Sequence, residues 1–369
     1  MLLLNFLKWL RRNRDGHVRV LIGRPGELTD DFAAVGTVDS FEPSASIWYK
    51  GIRRLNLHGR YRSNHLRRLR ETYVKDKPEL IYVNSVASAN MLEFLSFLDC
   101  PVICHVHELA GAIDALGTEN MARLEVRKPL YIAVSQAVKD SLVFDQRISP
   151  NRIEVVHGFV PKSRGTTEPE TAQQVVRRRL GIPEEAKLIC ACGSIGFRKG
   201  TDIFLEVAAR VVQQYREGPV HFMWIGGTSD KVDAMRRQVA KSSLRGVVHF
   251  TGATSDTEAY FKAADVFVLT SREDPFPLVV MEAAQQGSPV VCFGAAGGAR
   301  EFVETDAGFV VPELSVENMS DRIIQLLSSA GLRYQMGLAG KRKVLVRHAI
   351  DVGAARVATL IQDKVSGCT

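Results

Sequence analysis

The residues best suited to chemistry lie in 271–291, SREDPFPLVVMEAAQQGSPVV, where Asp274 and Glu282 stand on either side of a proline-studded turn. A helix is expected from about 277. Prolines suit a first helical turn, whose N–H groups are not needed for the helix ladder. The remaining free amides and the positive end of the helix dipole form an anion site suited to a diphosphate. Helical side chains lean toward the N-terminus. Glu282, a little over one turn inside, is therefore placed to accept hydrogen bonds from a pair of sugar hydroxyls. Asp274, in the turn, is placed to do the same for a second ring. The plainer alternative makes Asp274 a helix cap and Glu282 an exposed helical residue.

Such a turn needs a scaffold, and the chain supplies one by alternation. HVRVLIG, ELIYVNS, PVICHVHE, LYIAVS and IEVVHGFV read as strands separated by helical stretches near 60–75, 87–98, 118–128 and 135–143. A second series runs KLICACGSIG, VHFMWIGG, VVHFTG, DVFVLTS, SPVVCFG and GFVVP, with helices at 201–215, 229–241, 256–263, from about 277, 298–304 and 315–328. Short β-branched runs between helices are the pattern of parallel sheets covered on both faces. The fold class is α/β. The polar stretch KSRGTTEPETAQ is taken as a hinge, which gives domains at 1–163 and 164–345 and a terminal helix within 346–369 that returns to the first. Ligands of open α/β sheets bind beyond the carboxyl ends of the strands. GSIGFRKG, the glycines at 226–227, TG at 251–252, SREDPFP and GAAGG are thus expected to converge. Doubly wound domains open with a strand, whereas this chain opens in an amphipathic helix, MLLLNFLKWLRRNR, so the first strand of the N-terminal domain is expected to be missing.

The order and spacing of GFRKGTDIFLEVA, FMWIGG, VHFTG, YFKAADVFVLTSRED, PVVCFGAAGGAREFV and AGFVVP resemble the retaining glycosyltransferases of family four and their E-x7-E region. That family has the GT-B fold, two Rossmann-like doubly wound domains facing a central cleft. The resemblance implies a nucleotide-diphosphate sugar donor, a glycan or glycolipid acceptor, retention at the transferred sugar, and no metal or other cofactor. It gives Glu282 to the donor ribose, Lys199 to the diphosphate, and Asp274 to the donor sugar, one methylene shorter than the family's glutamate. Ser194 stands near the family's usual arginine, with Arg198 as a substitute. The remaining donor-side positions are Gly196, Gly252, Phe276, Pro277, Leu278, Gly297 and Gly298, the last two allowing close backbone approach. In the first half, His107 matches a histidine facing the donor sugar, which would orient it or stabilise developing charge. Asn84 lines the acceptor side, or simply caps a turn. His105, His107 and Glu108 also raise a metal reading, for which no further ligand is identifiable. No nucleophile is assigned.

Bulk properties restrict the alternatives. The 369 residues, 46% hydrophobic and 24% charged, suit a globular protein of two domains. No apolar run reaches the roughly 18 to 20 residues needed to cross a bilayer. Six cysteines without a C-x-x-C pair point to reduced thiols and a cytoplasmic setting. The net charge of +7 is concentrated in 50–75, KGIRRLNLHGRYRSNHLRRLRETYVK. That segment reads as a solvated helix face or as a contact with anionic membrane at the inner face of the cell membrane. No nucleic-acid module accompanies it. Two other functions stay open: a nucleotide-sugar-binding partner subunit without turnover, and a sugar-nucleotide epimerase.

Overall fold

The computed structural model describes residues 2–43, 58–163 and 169–367. They divide into two compact units, one of Met1–Ala133, Lys139–Val156 and Ala354–Thr369, the other of Val134–Val138 and His157–Gly353.

The first unit opens with the helix Leu2–Asn13, which buries Leu2, Leu4, Phe6 and Leu7 and stacks Phe6 on Tyr82 at 5.9 Å between ring centroids. This is the amphipathic behaviour expected of it. β1 (Arg19–Ile22) and β2 (Thr37–Ser40) form a separate parallel pair. β3 (Ile81–Asn84), β4 (Val102–Val106), β5 (Leu130–Ala133) and β6 (Ile153–Val155) make a four-stranded parallel sheet in sequential order. The basic helix His58–Asp76 turns Leu69 and Tyr73 inward against Leu95 and Leu98 and leaves Arg67 and Arg68 in solvent. Residues 50–57 of that basic segment lie outside the described residues.

In the second unit β7 (Lys187–Cys192), β8 (Val220–Ile225), β9 (Val248–Gly252), β10 (Val266–Leu269), β11 (Val290–Phe293) and β12 (Gly308–Val311) form a parallel sheet of order β9-β8-β7-β10-β11-β12. β8, β10 and β11 are buried along their whole length, as strands covered on both faces must be. One face packs Phe204, Phe222, Trp224 and Phe250 edge to edge and stacked, each such side chain contributing about 1.5–3 kcal/mol by burial.

The element reading needs four corrections. The passage between units falls at Val156 and His157 rather than after 163, and Val134–Val138 belongs to the second unit. The stretch taken as a hinge is helical from Pro169, where a helix Pro169–Leu180 begins with proline at a position that tolerates it. Strand β2 and helices Thr29–Ala33, Ala110–Leu116 and Ala330–Lys343 were not anticipated. A π-helical turn, Val344–His348, precedes the terminal helix Ile350–Ser366.

Candidate functional site

The order of the larger sheet reverses between β7 and β10, so the crevice outside the carboxyl ends of these two strands is its topological switch point. Lys199 follows β7 and Asp274 follows β10. Gly200, at φ 67°, lets the first loop lie against the second; a Cβ there would sit 1.9 Å from the carbonyl oxygen of Thr270. Thr270 Oγ1 donates to Lys199 O at 3.1 Å. The Lys199 ammonium and the Asp274 carboxylate form a buried ion pair, to which Ser271 Oγ adds a hydrogen bond at 3.3 Å. Arg272, which sequence reasoning missed, fastens the loops from outside. It bonds both carboxylate oxygens of Asp202 at 2.6 and 2.8 Å, donates to Phe197 O and stacks on the Phe197 ring. Arg198 Nη1 donates to Glu273 O at 2.9 Å. Gly196 N donates to Thr201 Oγ1, and Gly252 ends β9, its carbonyl accepting from Gly226 N.

The 294–298 turn closes on Asp274 through its backbone. Asp274 N donates to Ala296 O at 2.7 Å, and Gly298 N lies within bonding distance of the Asp274 and Pro275 carbonyls. Gly297 has φ 127°; a Cβ on Gly298 would meet Pro275 O at 2.3 Å. Helix Leu278–Gln285 starts at this turn with Pro277 as its N-cap and no side-chain cap. The prolines thus precede the first helical turn, and Asp274 is not a cap, since its carboxylate is given to Lys199 and Ser271. Val280 N donates to Pro277 O at 3.1 Å, and the amides of Leu278 and Val279 keep no intrahelical acceptor. Phe276 is 8% exposed, its ring packed against His157 and His348, so its backbone is what it offers a ligand.

Glu282 is half-buried and makes no hydrogen bond or ion pair among the described residues. Burial raises its pKa. Beside it lies Cys192, whose thiol is pushed up to about 12 by burial and by the Glu282 carboxylate. The exposed-residue alternative for Glu282 fails on this placement.

In the first unit His107 Nε2 contacts Asn84 Oδ1 at 3.2 Å. That oxygen only accepts, so the ring carries its proton on Nε2 in this contact. Burial lowers the His107 pKa to about 4, leaving a neutral imidazole at pH 7. His105 shares its face of β4, with ring centroids 4.3 Å apart, and Tyr82 Oη contacts its Nδ1. Glu108 is occupied by Ser85 Oγ and by the amide of His107. Among the described residues no three His, Cys, Asp or Glu side chains cluster as metal ligands.

A further carboxylate, Glu301, accepts from Gln136 N, Ala137 N and His157 Nε2 at 2.8–3.0 Å. Burial opposes its ionisation, yet these donors hold its carboxyl below the usual range. Its motif, GAAGGARE, was visible in the sequence, but its partners stand well over a hundred positions upstream.

Comparison with known proteins now decides the family. The Glycosyltransferase Family 4 pattern matches residues 2–164, and the Glycosyl transferases group 1 pattern matches 172–343. The chain belongs to the family-four glycosyltransferases. A D-inositol 3-phosphate glycosyltransferase of Corynebacterium aurimucosum is 27% identical over 282 residues, 72% of this chain and 66% of that protein. The lipopolysaccharide core biosynthesis glycosyltransferase LpsE of Rhizobium meliloti is 27% identical over 166 residues, 45% of this chain and 47% of that protein. The chain thus spans between about half and two thirds of the length of these relatives. Among solved structures, Anabaena HepE in complex with UDP superposes with a TM-score of 0.78 at 18% identity, over 98% of this chain and 95% of that one. HepE has also been solved with UDP-glucose. The family-four protein described here has the GT-B fold, and the strand order of its larger sheet is that of a Rossmann-like unit.

Proposed function

We propose that this family-four protein transfers a sugar from a nucleoside diphosphate sugar to a glycan or lipid-linked glycan of the bacterial envelope, with retention at the anomeric carbon. The observation that carries the reading is the switch point of the larger sheet. There the Lys199–Asp274 pair, the open helix start at Leu278 and the Glu282 carboxylate, which has no partner among the described residues, stand near neighbouring strand ends. Helix amides and Lys199 take the diphosphate, Glu282 takes the ribose hydroxyls, and Asp274 takes the donor sugar. Asp274 also holds Lys199 in place before the donor arrives. In the reaction the bond from the anomeric carbon to the phosphate oxygen breaks. The acceptor oxygen bonds the same face, and its proton passes to the departing phosphate. His107, neutral at pH 7, orients the sugar through hydrogen bonding rather than by charge. Positive charge for the leaving group comes from the protein itself, so a metal is not required, and chelation with EDTA is expected to leave turnover unchanged.

The relatives named for lipopolysaccharide and inositol phosphate support this class of acceptor. Helix His58–Asp76 provides an anionic-membrane contact on the cytoplasmic side in the same reading. The test is a thermal-shift screen of nucleotide sugars, beginning with UDP-glucose, followed by a turnover assay. A donor that raises Tm for the wild type and not for Glu282→Ala supports the site. Absence of any shift across the panel rejects it. Binding without transfer or donor hydrolysis would favour a partner subunit, the reading suited to Ser194 standing where the family has arginine.

A further inference from the structure

Pro275 and Pro277 offer no N–H, and helix Leu278–Gln285 starts without a side-chain cap, so the ring of Phe276 is the main anchor of the residues just before that helix. The ring meets two imidazoles, His157 at 5.1 Å and His348 at 5.6 Å between centroids. These stand 5.7 Å from each other, so the three rings form a closed triangle. Their segments are paired as well: Val160 N donates to His348 O and Ile350 N to Val160 O, both at 2.9 Å, and His348 Nδ1 donates to Gly158 O at 3.2 Å. The fit is close, since a Cβ on Gly158 would lie 2.9 Å from Phe276 Cδ1 and 2.8 Å from Leu278 Cδ2. The two imidazoles differ in their surroundings. His348 is a core ring, 4% exposed and packed on Phe302. The His157 side chain is 40% exposed, and its Nε2 bonds the Glu301 carboxylate at 2.8 Å. Glu301 is itself fixed by the amides of Gln136 and Ala137. A carboxylate only accepts, so Nε2 of His157 carries a proton and the plane of the ring is set by an anchored partner. Packing alone would be served by an apolar side chain at 157. All of these residues belong to the second unit.

We propose that His157, tethered by Glu301, is a positioning residue of the donor site: its ring holds Phe276, and Phe276 holds the free amides of Leu278 and Val279 where the diphosphate binds. The inference rests on the proposed donor site and adds to it a pair that acts through Phe276, not by touching the nucleotide. Bonds from amide to phosphate weaken steeply when the N–H is misaimed. A loosened turn therefore costs affinity for the diphosphate and leaves contacts to the nucleoside as they were. Glu301 has the properties such a tether needs: buried among three donors, it keeps its charge and its place, and it aligns the imidazole from the side away from Phe276's backbone.

The test measures binding of UDP and of GDP to the full chain, each against its nucleoside, by calorimetry and ligand-observed NMR. For the nucleotide that wild type binds, His157→Ala is expected to weaken the diphosphate about tenfold, the range of one aromatic pair, and to change nucleoside affinity by less than about twofold. His157→Phe and Glu301→Ala each keep a ring and remove the tether, and should fall between, near a loss of about threefold. Gly158→Ala, which pushes on Phe276 and Leu278 from the same side, is a second probe of the turn and is expected to weaken the diphosphate as well. Amide hydrogen exchange over 276–280 should quicken in His157→Ala without ligand. The proposal is overturned if His157→Ala binds the diphosphate like wild type, if it loses nucleoside and diphosphate affinity by equal factors, or if His157→Phe is no better than His157→Ala. Diphosphate binding that survives in His157→Ala and is lost in Glu282→Ala would leave the donor site standing and remove the clamp alone. Failure of wild type to bind either diphosphate would reject the site and the clamp together.

Discussion

Lys199 and Asp274 form a contact that bears on stability and, in the proposed site, on donor binding. Asp274 is buried and Lys199 is largely covered, so removing one partner leaves an uncompensated charge. Lys199→Ala is therefore expected to lower folding stability by about 3 kcal/mol as well as abolish donor binding. The double variant Lys199→Met/Asp274→Asn should recover more than half of that loss in urea denaturation, which a simple packing effect would not produce. Glu282 presents the opposite case. Its pKa is raised by burial, so its ionisation opposes folding as pH climbs from the ordinary carboxylate value through the raised one. Glu282→Gln should accordingly raise Tm at pH 7, have little effect near pH 4, and remove the donor-induced shift. A Tm unchanged at pH 7 would mean that the carboxylate is better solvated than its surroundings indicate.

At the scale of elements, the site depends on strand-to-helix turns whose backbones touch. Gly298 is wedged among Pro275 O, Ser135 Cβ and the Phe276 ring, all within 2.3–2.8 Å of where a Cβ would lie. Gly298→Ala is expected to cost about 1–3 kcal/mol and to weaken donor binding, because the 274–278 turn must move to admit the methyl group. Gly196→Ala, which meets no atom within 4 Å, should stay within about 0.5 kcal/mol of wild type. Equal melting temperatures for the two variants would contradict the close approach. The same logic explains the unanticipated helix Ala330–Lys343. Its glycines each cost about 1 kcal/mol relative to alanine, and its large apolar residues are split between Leu332 and Met336 on the core side and Tyr334 and Leu338 in solvent, so neither propensity nor periodicity signals it.

The whole molecule carries several histidines buried in the neutral form. Burial lowers His107, His249 and His348 to about 4; His249 is further lowered by His221, 3.1 Å away across β8 and β9. Unfolded histidine titrates near 6.5, so between about 6.5 and 4 the unfolded chain binds more protons than the folded one. Stability is thus fully present above about 6.5 and is lost progressively as pH falls toward 4. Melting curves across this range should show Tm dropping with acid, and His249→Gln should flatten the slope. A slope unaltered by that substitution would assign the acid sensitivity to other groups.

Much of this architecture was legible along the chain. Alternating β-branched runs and helical segments determined two α/β units, and the segments after β7 and β10 marked Lys199, Asp274 and Glu282 as candidates, because strand ends and helix starts are local features. What each of these groups touches was decided only by the fold. The Lys199–Asp274 pair, the Arg272–Asp202 clamp and the Glu301 hub join residues 70 or more positions apart. No local periodicity encodes such pairings. The packing of Phe276 between His157 and His348, and the exposure of Tyr334 and Leu338 on helix Ala330–Lys343, likewise depend on which backbone approaches which. That choice is made when the glycines of one element meet the carbonyls of another, and it exists only in three dimensions.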